Sequence, residues 1–195
     1  MQDLFPPRGI PPTINLFEVY IMNLIFSILV KNEPGVLIRI ASLFSRRNFN
    51  IHSLAVGTTH DSNISRITII LNADLNRADQ IISQIQKSPV VLAVQRLDPS
   101  NTVAREIALI KVHSTLNNRD SILNIANAFR ANVVDLSPNS IILEFTGSAN
   151  KINAAAQALS TFGIIELIQS GLIALNRQDP IPYASKPTFL HKNLL

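Results

Sequence analysis

From residue 22 onward the apolar positions follow two alternating periods. "NLIFSILV" (23–30) is an apolar run of strand length, "GVLIRIASLFSRR" (35–47) sets Leu37, Ile40, Ala41, Leu43 and Phe44 on one side at helical spacing, and "FNIHSLAVG" (49–57) reads as a second strand. "ISRITIIL" (64–71) predicts a strand, "LNRADQIISQIQK" (75–87) a helix and "VVLAVQRL" (90–97) a strand, which completes the order βαββαβ. A polar link, "DPSNT" (98–102), follows, and the order then recurs. It runs through "EIALIKVHS" (strand), "RDSILNIANAFRA" (helix), "VVDLS" and "SIILEFT" (strands), "ANKINAAAQALSTFG" (helix) and "IIELIQSGLIAL" (one strand). The pattern predicts an α+β chain of two tandem ferredoxin-like βαββαβ units. Residues 23–98 form the first, 104–177 the second, and proline-crowded ends over 1–22 and 178–195 are expected to be irregular.

In each unit two helices can cover one face of the sheet, so the other face, or the edge strands, should be buried by pairing. Composition points the same way. The chain has 195 residues, 47% hydrophobic but only 15% charged, against the roughly 25% usual for soluble domains. A surface so poor in charge predicts an assembly, most simply a homodimer. The net charge of +4 is scattered, with no basic run longer than Arg46-Arg47. The absence of cysteine excludes disulfides, thiolate metal sites and cysteine nucleophiles. The most lipid-like stretch, "LFEVYIMNLIFSILV", contains Glu18 and Asn23 and falls short of the ~20 apolar residues of a spanning helix, so no membrane span is expected.

Candidate chemistry centres on "KNEPGVL" (31–37). Pro34 suits a first helical turn, and Gly35 lets backbone N–H groups face outward without a Cβ in the way. A helix N-terminus with exposed N–H groups holds carboxylates or phosphates. The Asn50 amide at the start of a strand can donate to a carboxylate or accept from an ammonium. With Val36, Leu37 and Ile51 as apolar walls, these parts describe a pocket for an aliphatic α-amino acid.

The stretch "LVKNEPGVLIRIASLFSRRNFNIHSLAVGTTHDSNISRITIIL", followed by "VAREIALIKV" at the head of the second unit, resembles the small, regulatory subunits of acetolactate (acetohydroxyacid) synthase. The likeness covers about residues 23–177. It implies that the first unit is an ACT domain and that the chain is not itself an enzyme and carries no cofactor. Such a chain activates a catalytic large subunit, which holds thiamine diphosphate, Mg and FAD, and makes it sensitive to feedback by valine in branched-chain amino acid biosynthesis. The effector residues it implies are Asn32, Gly35, Val36 and Leu37, with Asn50 and Ile51 from a neighbouring copy. Asn48 stands where many members have glycine, which asparagine can imitate in a left-handed conformation, and Thr58 where many have proline. Members typically begin near Met22, so residues 1–21 are expected to be either an upstream extension or an artefact of start-site choice. The recurrent asparagine and isoleucine fit an AT-rich genome, hence a plastid stroma or a bacterial cytoplasm.

Other functions find less in the residues. No G-x-S-x-G, Walker-type or H-E-x-x-H motif is present, and His52, His60, His113 and His191 lack ligand spacing. RNA-binding folds share the βαββαβ order but stack bases on aromatic side chains of the central strands, where this chain offers only Phe145. No nucleic-acid partner is expected. The alternative that remains is a free-standing ACT-type amino-acid sensor regulating another enzyme. The second unit, without an equivalent turn, is assigned to assembly. Arg105, Glu106 and Lys111 are its candidates for touching a catalytic chain.

Overall fold

The computed structural model describes residues 22–73 and 75–178. The expected irregular ends therefore lie outside the described residues, as does His191, except for Met22, which opens the first strand, and Gln178, whose N–H donates to Asn176 Oδ1. The first unit comprises β1 (Met22–Lys31), α1 (Val36–Ser45), β2 (Ile51–Thr58), β3 (Ile64–Ala73), α2 (Leu75–Gln86) and β4 (Val91–Leu97). Its sheet has the order β2-β3-β1-β4 and is antiparallel throughout. The second unit comprises β5 (Thr102–His113), α3 (Arg119–Ala128), β6 (Asn132–Leu136), β7 (Ser140–Gly147), α4 (Ala149–Leu159), β8 (Ile164–Gln169) and β9 (Ile173–Asn176). There the order is β6-β7-β5-β8, with β9 also paired to β5. This is the expected ferredoxin-like arrangement, twice.

Strand alternation places Phe26, Ile28, Ile67, Ile69 and Leu71 on the helix-covered face of the first sheet, against Ile40 and Phe44 of α1 and Ile85 of α2. Each is fully buried, and each such side chain contributes about 1.5–3 kcal/mol of burial. Ala108, Ile110, Val112, Leu143 and Phe145 form the equivalent face of the second sheet, against Ile122 and Ile152. Leu37, read from spacing as a core position, is instead 43% exposed. The helix begins at Val36, so the buried stripe runs Val36, Ile40, Phe44, four residues apart, and Leu37 falls outside it.

The segment read as one strand, "IIELIQSGLIAL", breaks at Ser170-Gly171-Leu172 into β8 and β9. Both run antiparallel along β5, β8 beside Ala108–Val112 and β9 beside Thr102–Arg105. Gly171 has φ +77, and a Cβ there would stand 3.0 Å from Ser53 Oγ and 3.1 Å from the Leu54 carbonyl oxygen, so both backbone strain and tight space disfavour a side chain.

The break faces the first unit. Leu172 and Ala174 are buried with Leu97, and Ile25, Ile70 and Ala104 pack against them. Ile25, Ile70 and Leu97 form a cross-strand row on the face of the first sheet opposite its helices. Part of the face expected to need a second copy is thus covered by the chain's own second unit. The link carries a short 3-10 turn over Pro99–Asn101, capped by Asp98. Among the described residues no helix is long and apolar enough to cross a membrane.

Candidate functional site

The turn between β1 and α1 is exposed from Asn32 to Gly35. The helix starts later than expected: Pro34 and Gly35 lie in the turn, and Gly35 is the N-cap residue with φ +81 and ψ −3. No atom lies within 4 Å of where its Cβ would be, so glycine is required by the left-handed backbone rather than by space. Gly35 brings no side chain to cap the helix. The Val36 N–H turns back to the Glu33 carbonyl (3.3 Å), and Arg39 N–H donates to the Gly35 carbonyl (3.1 Å). No acceptor among the described residues meets the amides of Gly35, Leu37 and Ile38. A carboxylate is the natural partner of such a group of donors.

Asn32 braces the turn from behind. Its N–H donates to the Asn63 carbonyl (2.7 Å) and its Nδ2 to the Ser62 carbonyl (2.8 Å), which fixes the turn to the connection between β2 and β3. Val36 is buried, so its contribution is packing, whereas the Leu37 side chain stands out beside the open amides.

At the other end of α1 the chain closes in a Schellman turn. Phe49 N–H donates to the Phe44 carbonyl (3.1 Å), Asn48 N–H donates to the Ser45 carbonyl (3.0 Å), and Asn48 has φ +56. Asparagine therefore takes the left-handed position, as expected of a residue that can imitate glycine there. The turn delivers Asn50, exposed, and Ile51, half-buried, to a shallow concavity of about 600 Å³ that they share with Ala41, Ser45 and Phe49. No hydrogen bond engages the Asn50 side chain among the described residues.

The ten residues of α1 span about 15 Å. Gly35 and Leu37 sit at one end and Asn50 and Ile51 at the other, so one chain does not bring the predicted residues together. Each end offers half of an amino-acid site: amide donors in one, a side-chain amide with an apolar floor in the other.

The second unit repeats the frame with more of its polar side chains engaged within the unit. Its α3 closes with the same Schellman turn, Arg130 at φ +52 and Ala131 N–H on the Ala126 carbonyl (2.8 Å). At the start of α3, however, Asn118 replaces the glycine. Its Oδ1 accepts the Thr115 N–H (2.6 Å), while Arg119 lies across the turn and donates to Ser114 Oγ (3.3 Å) and to the Ser137 and Pro138 carbonyls (3.0 Å each). The position matching Asn50 is Asn132, whose Nδ2 donates to Glu144 (3.0 Å). The counterpart of Asn50 is thus engaged within the unit, while the amides of Asp120 and Ser121, like those of Leu37 and Ile38, meet no acceptor among the described residues.

His52, His60 and His113 are exposed, and no group of three or more His, Cys, Asp or Glu among the described residues could hold a metal. Of the candidates for contact with another chain, Glu106 is buried, Arg105 is exposed with Nη1 on the Ala104 carbonyl (2.7 Å), and Lys111 is half-buried. Sequence reasoning passed over Arg66 and Ser53, both of which face the second unit. The signal for Arg66 was a lone charge inside the apolar strand "ISRITIIL".

Comparison with known proteins gives a consistent result. Residues 26–93 match the family described as "AHAS small subunit-like ACT domain", and residues 105–178 the family described as "Small subunit of acetolactate synthase". An acetolactate synthase small subunit of Mycobacterium bovis is 45% identical over 151 residues, covering 77% of this chain and 90% of the relative. A probable small subunit of Archaeoglobus fulgidus is 42% identical over 151 residues, covering 77% and 94%. The crystal structure of an acetolactate synthase small subunit from Thermotoga maritima superposes with a TM-score of 0.77 at 35% identity, covering 82% of this chain and all of that one.

Proposed function

The chain belongs to the acetolactate synthase small-subunit family, a regulatory subunit whose counterpart is a catalytic large subunit, and from that premise we propose that it activates this partner and makes it sensitive to valine. In this reading the chain does no chemistry itself; thiamine diphosphate, Mg and FAD belong to the catalytic subunit. It works in a plastid stroma or a bacterial cytoplasm.

The observation that carries the valine reading is the separation of the two half-sites. The unpartnered amides around Gly35 offer a seat for a carboxylate, and the unpartnered Asn50 side chain offers an oxygen to an ammonium, but α1 holds them about 15 Å apart. Two copies set side by side along the free edge of β2 bring one copy's turn to the other's Asn50. Valine then lies between chains, its isopropyl group against Leu37 of one and Ile51 of the other. Binding and dimerisation are coupled, since each valine contacts both copies.

The test is an acetolactate assay of the catalytic subunit alone, with this chain, and with this chain plus valine, together with the chain by itself. Activation by the chain, suppression by valine and no turnover from the isolated chain are expected. Turnover by the isolated chain, or an unchanged catalytic subunit, would overturn the reading. A free-standing sensor would leave the catalytic subunit unaffected yet still bind valine.

A further inference from the structure

On the face of the first sheet opposite its helices, cross-strand pairing sets out successive rows. The row of Ile25, Ile70 and Leu97 is covered by the second unit. The next two rows hold Ser27 with Thr68 and Ala55, then Leu29 with Arg66 and Gly57. Over their β2 side Val103 and Arg105 of β5 and Ile173, Ala174 and Leu175 of β9 face them without closing down. The result is a cleft of about 450 Å³ between the units, a volume in the range of small-molecule sites.

Its walls are mostly hydrocarbon. Val56 comes from β2, Val103 from β5, and Ile173 and Leu175 from β9. All four are at least 38% exposed, Ile173 and Leu175 more than half, which is unusual for apolar side chains that share a concavity. Arg66 lies in this setting, half-buried, with Nη1 on Ser27 Oγ at 3.2 Å. No carboxylate among the described residues pairs with it; the ion pair present joins Arg96 to Asp79. Burial lowers its pKa, the mark of a cation held in poor solvent without a counter-charge. A guanidinium has five donors, and among the described residues one is engaged. Arg105 stands in the same lining.

A charge of this kind is normally compensated, and the chain leaves the place for the compensating group open. The walls decide what sort of group that is. Phosphate or a nucleotide polyphosphate would press several charges on apolar surface, whereas a single carboxylate meets the guanidinium in bidentate fashion and leaves its body to the hydrocarbon. We propose that the cleft between the two units binds a small amphiphilic carboxylate, its head on Arg66 and its aliphatic body against Val56, Val103, Ile173 and Leu175. This site is across the sheet from α1, shares no residue with the half-sites at its ends, and does not rest on the valine reading.

The test is calorimetric titration of the full chain with three probes: octanoate, octan-1-ol and inorganic phosphate. Amide resonances of Ala55–Thr58 and Ile173–Leu175 are followed in parallel. Octanoate should bind at least tenfold more tightly than octan-1-ol and shift those resonances, while phosphate should not bind. Arg66→Met should weaken octanoate about tenfold to a hundredfold, to the level of the alcohol, and Arg66→Lys should restore part of the difference. Equal affinity for octanoate and octan-1-ol in the wild-type chain would overturn the proposal, whatever the variants do. So would phosphate binding that Arg66→Met abolishes, unchanged octanoate affinity in Arg66→Met, or failure of octanoate to bind because another copy occupies the cleft.

Discussion

The hydroxyl of Ser53 accepts the backbone N–H of Leu172 at 3.1 Å, across 119 positions of sequence. Ser53 lies on β2 three residues beyond Asn50, and Leu172 lies in the break between β8 and β9. The strand that carries half of the proposed effector site is therefore hydrogen-bonded to the second unit. Ser53→Ala leaves the buried Leu172 amide without an acceptor and should lower stability by about 1–3 kcal/mol. Amide exchange at Leu172 should accelerate. Unchanged protection there would show that the bond contributes nothing.

Gly35→Ala isolates the backbone requirement of the turn, because the added methyl meets no atom within 4 Å. The cost should be the left-handed penalty alone, about 1–2 kcal/mol, visible as a lower urea midpoint with an unchanged slope. Gly35→Asn should recover part of it, as Asn48 does at φ +56. A neutral Gly35→Ala would mean that the turn readily adopts another conformation.

Asn50→Ala should separate binding from folding. The side chain is exposed and holds no partner among the described residues, so stability should stay within about 0.5 kcal/mol. Loss of one hydrogen bond to the ammonium should weaken valine by about tenfold to a hundredfold. Calorimetry with valine reads this directly. Wild-type affinity in the variant would place the effector elsewhere.

Asp98 supplies a pH test of the link between units. Its Oδ1 accepts the Ser100 N–H at 2.9 Å and the Ser100 hydroxyl at 2.8 Å. The backbone bond foremost, then the hydroxyl, with Arg96 adding to them, holds the carboxyl below its ordinary range. A depressed folded pKa means that the stabilisation is present above the unfolded value and is lost as pH falls through the folded one. The Ser100 amide resonance should titrate with a midpoint below that of an unstructured aspartate. Asp98→Asn should abolish the titration; if the resonance still moved with the same midpoint, another group would be responsible.

The order of strands and helices was legible because burial on one face imposes periods that local sequence records directly. Both Schellman turns end helices where "RRNFN" and "FRANV" break the apolar spacing. The β8–β9 break was hidden because "IIELIQSGLIAL" remains apolar on both sides of Gly171, and the bend sits where Gly171 passes close to Ser53 and Leu54 of the other unit, a contact that local sequence does not record. Leu37 reads as core because spacing fixes a stripe only up to where the helix begins, and that start depends on Gly35 taking positive φ. The types of residue suited to an amino acid could be read from the chain. Their placement at opposite ends of α1 was legible as well, because the apolar spacing set a helix between Gly35 and Asn50; which backbone N–H groups of the turn stay open was not, since it depends on Gly35 taking positive φ.

The apolar seam of Ile25, Ile70 and Leu97 against Ala104, Leu172 and Ala174 also limits how the chain can be cut or recombined. Although the sequence repeats, its halves are not interchangeable modules. A fragment ending at Leu97 would bare a row of hydrocarbon and stick to itself for reasons unrelated to the native assembly. A hybrid joining this first half to a relative's second half would need both sides of that seam carried over together. The heritable unit is the pair, and changes at these six positions are expected to come in compensating sets, even though they lie far apart in sequence.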